Sequence, residues 1–259
     1  MGRKLLLLFL LVSFTALSQE VEHENLFSQA IGKNIKKYKT QSKQAYIDQN
    51  YERADFLFDS LINNVVNGSR LDNFNIRKTS GKKINFYDFE KPVFLITYAS
   101  WCTPGVGEIP ALNKIVDENY KEIDFVVLFW DTKKKVRKKA RNYGYSNKIN
   151  IVYVDETENT HDHIVETMKH SLGFPTSFFI DSDKTIIDVR RGVLHPYNEA
   201  YEVSFEMNYD SFQDDGTNIT IILVFESPAL FIASYAIPAL IAPSPITATT
   251  SFDLFDSLF

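Results

Sequence analysis

The sequence predicts an α/β fold in which a mixed sheet is covered by helices on both faces. Two apolar runs, PVFLITYAS at 92–100 and FVVLFW at 125–130, are nearly continuous, as expected for strands buried on both faces. Segments of helical periodicity separate the strands, and this alternation is typical of a mostly parallel sheet. The predicted strands at 176–181 and 185–190 are joined by a tight turn, so they must pair antiparallel.

Periodicity and turn signals predict the remaining elements. Apolar residues from Tyr51 to Val65 recur at spacings of three and four before Gly68, which predicts an amphipathic helix over about 50–66. Alternating apolar residues on both sides of Ser80-Gly81 predict a β-hairpin. The same signals predict a strand at 149–154 and helices over about 24–47, from Ile109 to Val116, over 132–143, through Ile164, Met168 and Leu172, and over 197–212.

Composition limits the classes of function. The chain has 259 residues, of which 44% are hydrophobic and 24% are charged, and its formal net charge is −5. These values are ordinary for a globular protein, and the acidic balance argues against nucleic acid as a partner. Cys102 is the only cysteine, which excludes an internal disulfide.

The two ends of the chain differ from the rest. Residues 1–18 combine Arg3 and Lys4 with a short apolar run and small residues, which predicts a cleaved signal peptide and export to the periplasm or cell envelope; an uncleaved anchor is the alternative. We therefore predict a helical extension at 19–69, the main domain at 70–214 and an unassigned apolar tail at 215–259. That tail is an appended module, a weakly membrane-seeking segment or out-of-frame sequence. The absence of lysine and arginine after Arg191 favours the third of these alternatives.

The stretch SWCTPGVGEIP at 100–110 carries the strongest chemical signal. Cys102 follows a predicted strand and precedes a predicted helix. A cysteine at a helix N-terminus faces unpaired N–H groups, which lower its pKa and favour the nucleophilic thiolate. The alternative is an inert buried cysteine that packs as a small apolar residue.

The site and its surroundings resemble the secreted TlpA/ResA-type thiol-disulfide oxidoreductases, which have a thioredoxin-like fold. The resemblance covers about residues 70–192 and rests on W-C-x-P at 101–104, on Glu108 and Pro110 as E-x-P, and on Gly-Phe-Pro-Thr at 173–176. Each motif follows or precedes a strand or helix in the family's order. The departure is Gly105, which stands where the family has its second cysteine.

The resemblance implies how each residue acts. Cys102 would attack a disulfide, Glu108 would assist proton transfer, and a cis-Pro175 would orient an extended substrate. The residues that would bind substrate are Trp101, Thr103, Pro104, Phe174 and Thr176. Without a second cysteine, an external thiol or redox partner protein must release the product. The implied partners are extracytoplasmic protein thiols or disulfides, and no bound cofactor or metal is implied.

Other hypotheses remain open at the level of sequence. The domain is alternatively a redox-inactive module that holds peptides at the proline groove, or a degraded gene product, whereas a peroxidase needs a differently built turn. The basic run at 133–141 could bind a polyanion or a membrane surface. Because the chain is acidic as a whole, a solvated helix face is the favoured alternative. His161, His163 and His170 lack the softer convergent ligands typical of zinc sites.

Overall fold

The computed structural model describes residues 25–99, 101–154, 167–169, 171–191 and 199–213, and it has the predicted α/β architecture. Seven strands within these residues form one mixed sheet. They are β1 (Asn75–Lys78), β2 (Lys83–Asn85), β3 (Val93–Tyr98), β4 (Asp124–Phe129), β5 (Asn150–Tyr153), β6 (Thr176–Ile180) and β7 (Ile186–Arg191). Their order across the sheet is β2-β1-β5-β4-β3-β6-β7.

Five helices are complete in the described ranges: α1 (Phe27–Ile47), α2 (Tyr51–Leu61), α3 (Glu108–Asn119), α4 (Lys133–Tyr143) and α5 (Tyr201–Gln213). A π-helical turn at Ile62–Val66 extends α2, so the two predicted N-terminal helices are confirmed. The Asn50 side chain caps α2 by accepting a hydrogen bond from the N–H of Arg53 at 2.9 Å. Residues 167–169 are helical as predicted, and Met168 and Leu172 are buried, while Ile164 lies outside the described residues.

Strand pairing confirms the predicted antiparallel pair of the last two strands, but the expectation of a mostly parallel sheet is wrong. Among the six pairings of the described strands only β3-β4 and β4-β5 are parallel, since the hairpin and the tight β6-β7 turn impose antiparallel pairing toward both edges of the sheet. β3 pairs parallel with β4 and antiparallel with β6, and β6 pairs antiparallel with β7. The predicted hairpin places Ile76 opposite Ile84. This arrangement is the thioredoxin-like mixed sheet that the resemblance implies.

Side chains of the buried central strand β3 alternate between two apolar cores. Val93 and Leu95 belong to the core that α1 and α2 cover, and Phe27 of α1 meets Phe178 of β6 edge to face at 6.0 Å. Phe94 belongs to the opposite core, which receives apolar side chains from α3, α4 and α5. The N-terminal helices therefore pack directly on the sheet, and the domain boundary near residue 69 stays a prediction.

The topology places two loops next to each other at the same end of the neighbouring strands β3 and β6. The segment with Cys102 leaves the carboxyl end of β3, while the segment with Pro175 enters β6. Since these strands are antiparallel and Thr97 lies opposite Thr176, the two segments are neighbours in space.

The predicted signal peptide at 1–18 and the tail at 215–259 lie outside the described residues. None of the helices that the structure does describe is long and apolar enough to cross a membrane.

Candidate active site at the cysteine loop

The helix after Cys102 begins later than the sequence analysis expects. Helix α3 starts only at Glu108, and Gly107 at its N-cap provides no capping side chain. Each glycine disfavours helix by about 1 kcal/mol relative to alanine, and two of them, Gly105 and Gly107, flank Val106. The prediction that Cys102 sits at a helix N-terminus is therefore wrong, and the residue occupies an irregular loop.

The Cys102 side chain is buried, with 7% of the residue exposed. Burial raises the pKa of its thiol, because the charged thiolate loses hydration. A backbone hydrogen bond with Ala99 and the Lys139 ammonium oppose this change, while the carboxylates of Glu108 and Asp131 add to it. The expectation of an activated, low-pKa thiolate is therefore wrong for this conformation.

The Glu108 side chain connects the cysteine loop to strand β3 through hydrogen bonds. Its Oε2 accepts a hydrogen bond from the N–H of Gly105 at 3.0 Å, and its Oε1 accepts one from the Tyr98 hydroxyl. Tyr98 is buried, and this burial together with the Glu108 carboxylate raises its pKa well above the ordinary value. The phenol is therefore a permanent donor. Both Glu108 carboxylate oxygens are thus engaged by the protein, and the role of Glu108 in proton transfer stays a prediction.

We expect Glu108→Gln to lower the alkylation midpoint of Cys102, because the carboxylate raises the pKa of that thiol and the amide carries no charge. Glutamine keeps one oxygen to accept a loop hydrogen bond. The pH profile of iodoacetamide reaction measures the change, with the exposed Glu122→Gln as the matched control. An unchanged midpoint in Glu108→Gln would remove this carboxylate from the electrostatics of the thiol.

The proline loop lies beside the cysteine loop, as expected from the resemblance. The Phe174–Pro175 peptide bond is cis, and Gly173 before it has a φ of +89°, a conformation that side chains rarely adopt. The rings of Phe174 and Trp101 meet edge to face at 6.1 Å, and Trp101 is 72% exposed. This ring contact connects the cysteine loop and the proline loop at the protein surface.

The other predicted binding residues divide between surface and interior. Thr103 is exposed and Pro104 partly exposed on the cysteine loop. Thr176 is buried; its hydroxyl donates to the Gly173 carbonyl at 2.9 Å, and its own carbonyl accepts from the Thr97 hydroxyl at 3.2 Å. Thr176 therefore stabilises the strand and its loop, whereas the others can meet a partner.

Helix α4 and the segment directly after it bring Lys139, Tyr143 and Tyr145 to the site, three residues that the sequence motifs do not indicate. The Tyr143 hydroxyl donates to the Cys102 carbonyl at 3.1 Å, and the Lys139 ammonium donates to Tyr143 Oη at 2.7 Å. The Tyr145 hydroxyl is buried and has no hydrogen-bond partner among the residues described. Its pKa is raised well above the usual value, first by burial and then by Glu108. The spacing of Lys139 and Tyr143 predicts a helix contact but not the link to Cys102.

Helix α5 closes the other side of the loop. The Ser204 hydroxyl accepts a hydrogen bond from the N–H of Gly107 at 3.0 Å. A Cβ atom on Gly107 would lie 2.2 Å from the backbone nitrogen of Phe205, and one on Gly105 would lie 3.2 Å from Ser204 Oγ. Two glycines in G-V-G signal a close backbone approach, although the sequence does not say which element approaches.

A cavity of about 100 Å³ lies between the sheet, α3 and α5. Tyr98, Glu108, Pro175, Arg190 and Asn208 are among its lining residues. This volume has room for several water molecules, since one water needs roughly 10–15 Å³ of such space. Groups of three metal-ligating side chains are absent from the described ranges, and the three histidines weighed above lie outside them.

Comparisons with known proteins agree with this geometry. A model described as the AhpC/TSA family matches residues 68–189. The thiol-disulfide oxidoreductase ResA of Bacillus thuringiensis is 31% identical over 129 residues, which cover 48% of this chain and 69% of that protein. The thioredoxin-like protein YneN of Bacillus subtilis is 24% identical over 132 residues, or 50% of this chain and 74% of YneN.

Among solved structures, the thioredoxin domain of a thiol-disulfide oxidoreductase from Bacteroides vulgatus superposes with a TM-score of 0.44 at 17% identity. That match covers 57% of this chain and 96% of the solved chain. The sequence matches decide the assignment. The chain belongs to the AhpC/TSA family of thioredoxin-like proteins, where its relatives include the ResA-type thiol-disulfide oxidoreductases.

Proposed function

We propose that the protein performs thiol-disulfide exchange on exported proteins outside the cytoplasm, with Cys102 as its single nucleophile. The main support for this proposal is the position of the cysteine loop, in a chain whose relatives include thiol-disulfide oxidoreductases. Cys102 follows β3 and lies beside the cis-proline loop, whereas Gly105 supplies no second sulfur. The basic and apolar segments at 1–18 support export.

Thiol-disulfide exchange can be completed with one protein sulfur when an external thiol takes part. The Cys102 thiolate attacks one sulfur of a substrate disulfide; the substrate S–S bond breaks, a bond between Cys102 and the substrate forms, and the leaving thiolate takes up a proton. An external thiolate then attacks the substrate sulfur of this mixed disulfide and restores the Cys102 thiolate. The substrate ends with one free thiol and one new disulfide to the external thiol.

The surface around Cys102 supports this role. Trp101, the residue directly before Cys102, forms a ring pair with Phe174, and Val106 is exposed on the same loop. An extended segment resting on Pro175 would meet these apolar groups. Glu108 faces the same loop from the interior, where it can exchange a proton through the adjoining cavity.

The raised pKa of Cys102 has a kinetic consequence. A thiol with a high pKa is a poor leaving group, so a mixed disulfide on Cys102 is released slowly when an external thiol attacks. The intermediate should therefore accumulate and be isolable.

A second candidate is a binding module without redox turnover. The burial of Cys102, at 7% exposed, favours this reading, because a reacting sulfur must be reached by its partner. In that case the rings and the proline groove hold a peptide without covalent chemistry.

The deciding experiment is the pH dependence of Cys102 alkylation in the purified mature chain, with Cys102→Ser as the blank. We expect a midpoint above that of free cysteine, about 8.5, since burial raises the pKa, and the reactive fraction grows as pH increases. A thiopyridyl-activated peptide added above this midpoint should yield a stable mixed disulfide detected by mass. If the folded protein forms none while the unfolded protein does, exchange is excluded and the binding module remains.

A further inference from the structure

We infer that helix α4 selects acidic substrate segments for the thiol, a specificity that rests on the proposed function. Seven of the residues from Lys133 to Tyr143 are basic and none is acidic. The chain as a whole carries a formal charge of −5, so this positive charge is local. Lys139 and Tyr143 connect this helix to the cysteine loop, so the helix borders the site as well as the solvent.

The contact between α4 and the loop is direct. Lys139 donates to the Tyr143 hydroxyl, and Tyr143 donates to the main-chain carbonyl of Cys102. The Lys139 charge also acts on the Cys102 thiol itself. A segment that delivers a sulfur to Cys102 must therefore pass close to the basic helix.

The positive surface extends away from the thiol along the helix. Lys134, Arg137 and Lys138 are exposed, and the ammonium of Lys133 donates to the Ser80 carbonyl at the hairpin turn. The hairpin adds further cations. We define the basic patch as Lys78, Lys82, Lys83, Lys133, Lys134, Lys135, Arg137, Lys138, Lys139 and Arg141. Within this patch Asp131 pairs with Lys135 at 3.1 Å and offsets one charge.

The side of the cysteine loop that faces helix α5 carries negative charge. Helix α5, which packs against α3, bears exposed Glu202, Glu206 and Asp210 and no lysine or arginine. The charges around Cys102 are thus arranged as a gradient from α4 to α5. A cysteine-containing protein segment with acidic residues on the α4 side complements this field, and a basic one is repelled from it.

The apolar groups next to the thiol favour a protein segment over a membrane. Trp101 and Val106 are exposed beside the loop, but the acidic side chains of α5 border the same region and would repel an anionic lipid surface. A peptide can place its acidic residues on the α4 side alone, whereas a uniformly anionic surface would also face the acidic side chains of α5.

The test uses three thiopyridyl-activated peptides that differ only in the residues flanking their cysteine: four glutamates, four glutamines or four lysines. Release of thiopyridone gives the second-order rate constant. At low salt we expect the acidic peptide to react about tenfold faster than the basic one, and this difference to vanish near 1 M salt, where charges are screened. The double variant Lys134→Glu/Lys138→Glu should abolish the preference.

The matched control is Lys36→Glu/Lys39→Glu on α1, which makes the same change in net charge on the other face of the sheet. Equal rates for all three peptides, or an equal loss in the control, overturn the inference and leave the exchange function intact. If no peptide reacts, the exchange function fails. Binding of labelled peptides with serine in place of cysteine then decides: an α4-dependent acidic preference supports the inference, and equal binding overturns it. Binding to anionic vesicles without any peptide preference also overturns it.

Discussion

Replacing Gly107 with alanine is expected to lower the free energy of unfolding by about 1–3 kcal/mol, the usual cost of an extra methyl group in a closely packed site. The new Cβ would lie 2.2 Å from the Phe205 nitrogen and 2.5 Å from its Cα. These are backbone atoms of a helix, so α5 must shift as a unit. The shift also stretches the hydrogen bond from Gly107 to the Ser204 hydroxyl. Denaturant unfolding followed by circular dichroism measures the loss.

Gly32→Ala is the matched control for this variant. Gly32 lies in α1, is exposed, and has no atom within 4 Å of an added Cβ. Alanine there should raise stability by roughly 0.5–1 kcal/mol, because glycine disfavours helix. If Gly107→Ala were as stable as the parent protein, α5 would not be seated on the cysteine loop as described.

Gly105→Cys is expected to shorten the lifetime of the Cys102 mixed disulfide by roughly a hundredfold or more at millimolar external thiol. The new thiolate attacks the Cys102 sulfur, releases the substrate thiol and forms a bond between residues 102 and 105. An intramolecular thiol acts at an effective concentration far above millimolar. The new Cβ would lie 3.2 Å from the Ser204 hydroxyl, a tight contact that is relieved if this side chain moves by a few tenths of an ångström.

Release of a fluorescent peptide thiol from the preformed mixed disulfide measures this rate. Gly105→Ser supplies a side chain of similar size without a thiolate and should release peptide no faster than the parent protein. Equal release by the cysteine and serine variants would show that the loop holds positions 102 and 105 too far apart for a disulfide.

Most of the fold could be predicted because local patterns determine it. Periodicity predicted α2, and the alternation around Ser80-Gly81 predicted the hairpin. The apolar run at 92–100 identified β3, which is buried along its whole length. In each case the signal lies within the element, so no information about distant residues is needed.

The interior of the site could not be predicted in the same way. The late start of α3 depends on a balance between Pro104, which favours a helix start, and the two glycines that oppose it. Burial of Cys102 and its link to Tyr143 depend on packing between segments far apart in the chain. The contact of Ser204 with Gly107 spans 97 positions. The motifs therefore identified Cys102, Glu108 and Pro175 as site residues, whereas the direction of the pKa change of the Cys102 thiol depends on burial by distant segments.

The exposed position of Trp101 gives the protein an optical reporter of its own reaction. The chain has two tryptophans, and the other, Trp130, is buried at 5% exposure, so the two indoles should emit at different wavelengths. Trp101 is the residue directly before Cys102 and touches Phe174 on the facing loop. We therefore expect a sulfur compound attached to Cys102 to change the long-wavelength emission of Trp101, so that bond formation can be followed by stopped-flow fluorescence without any label.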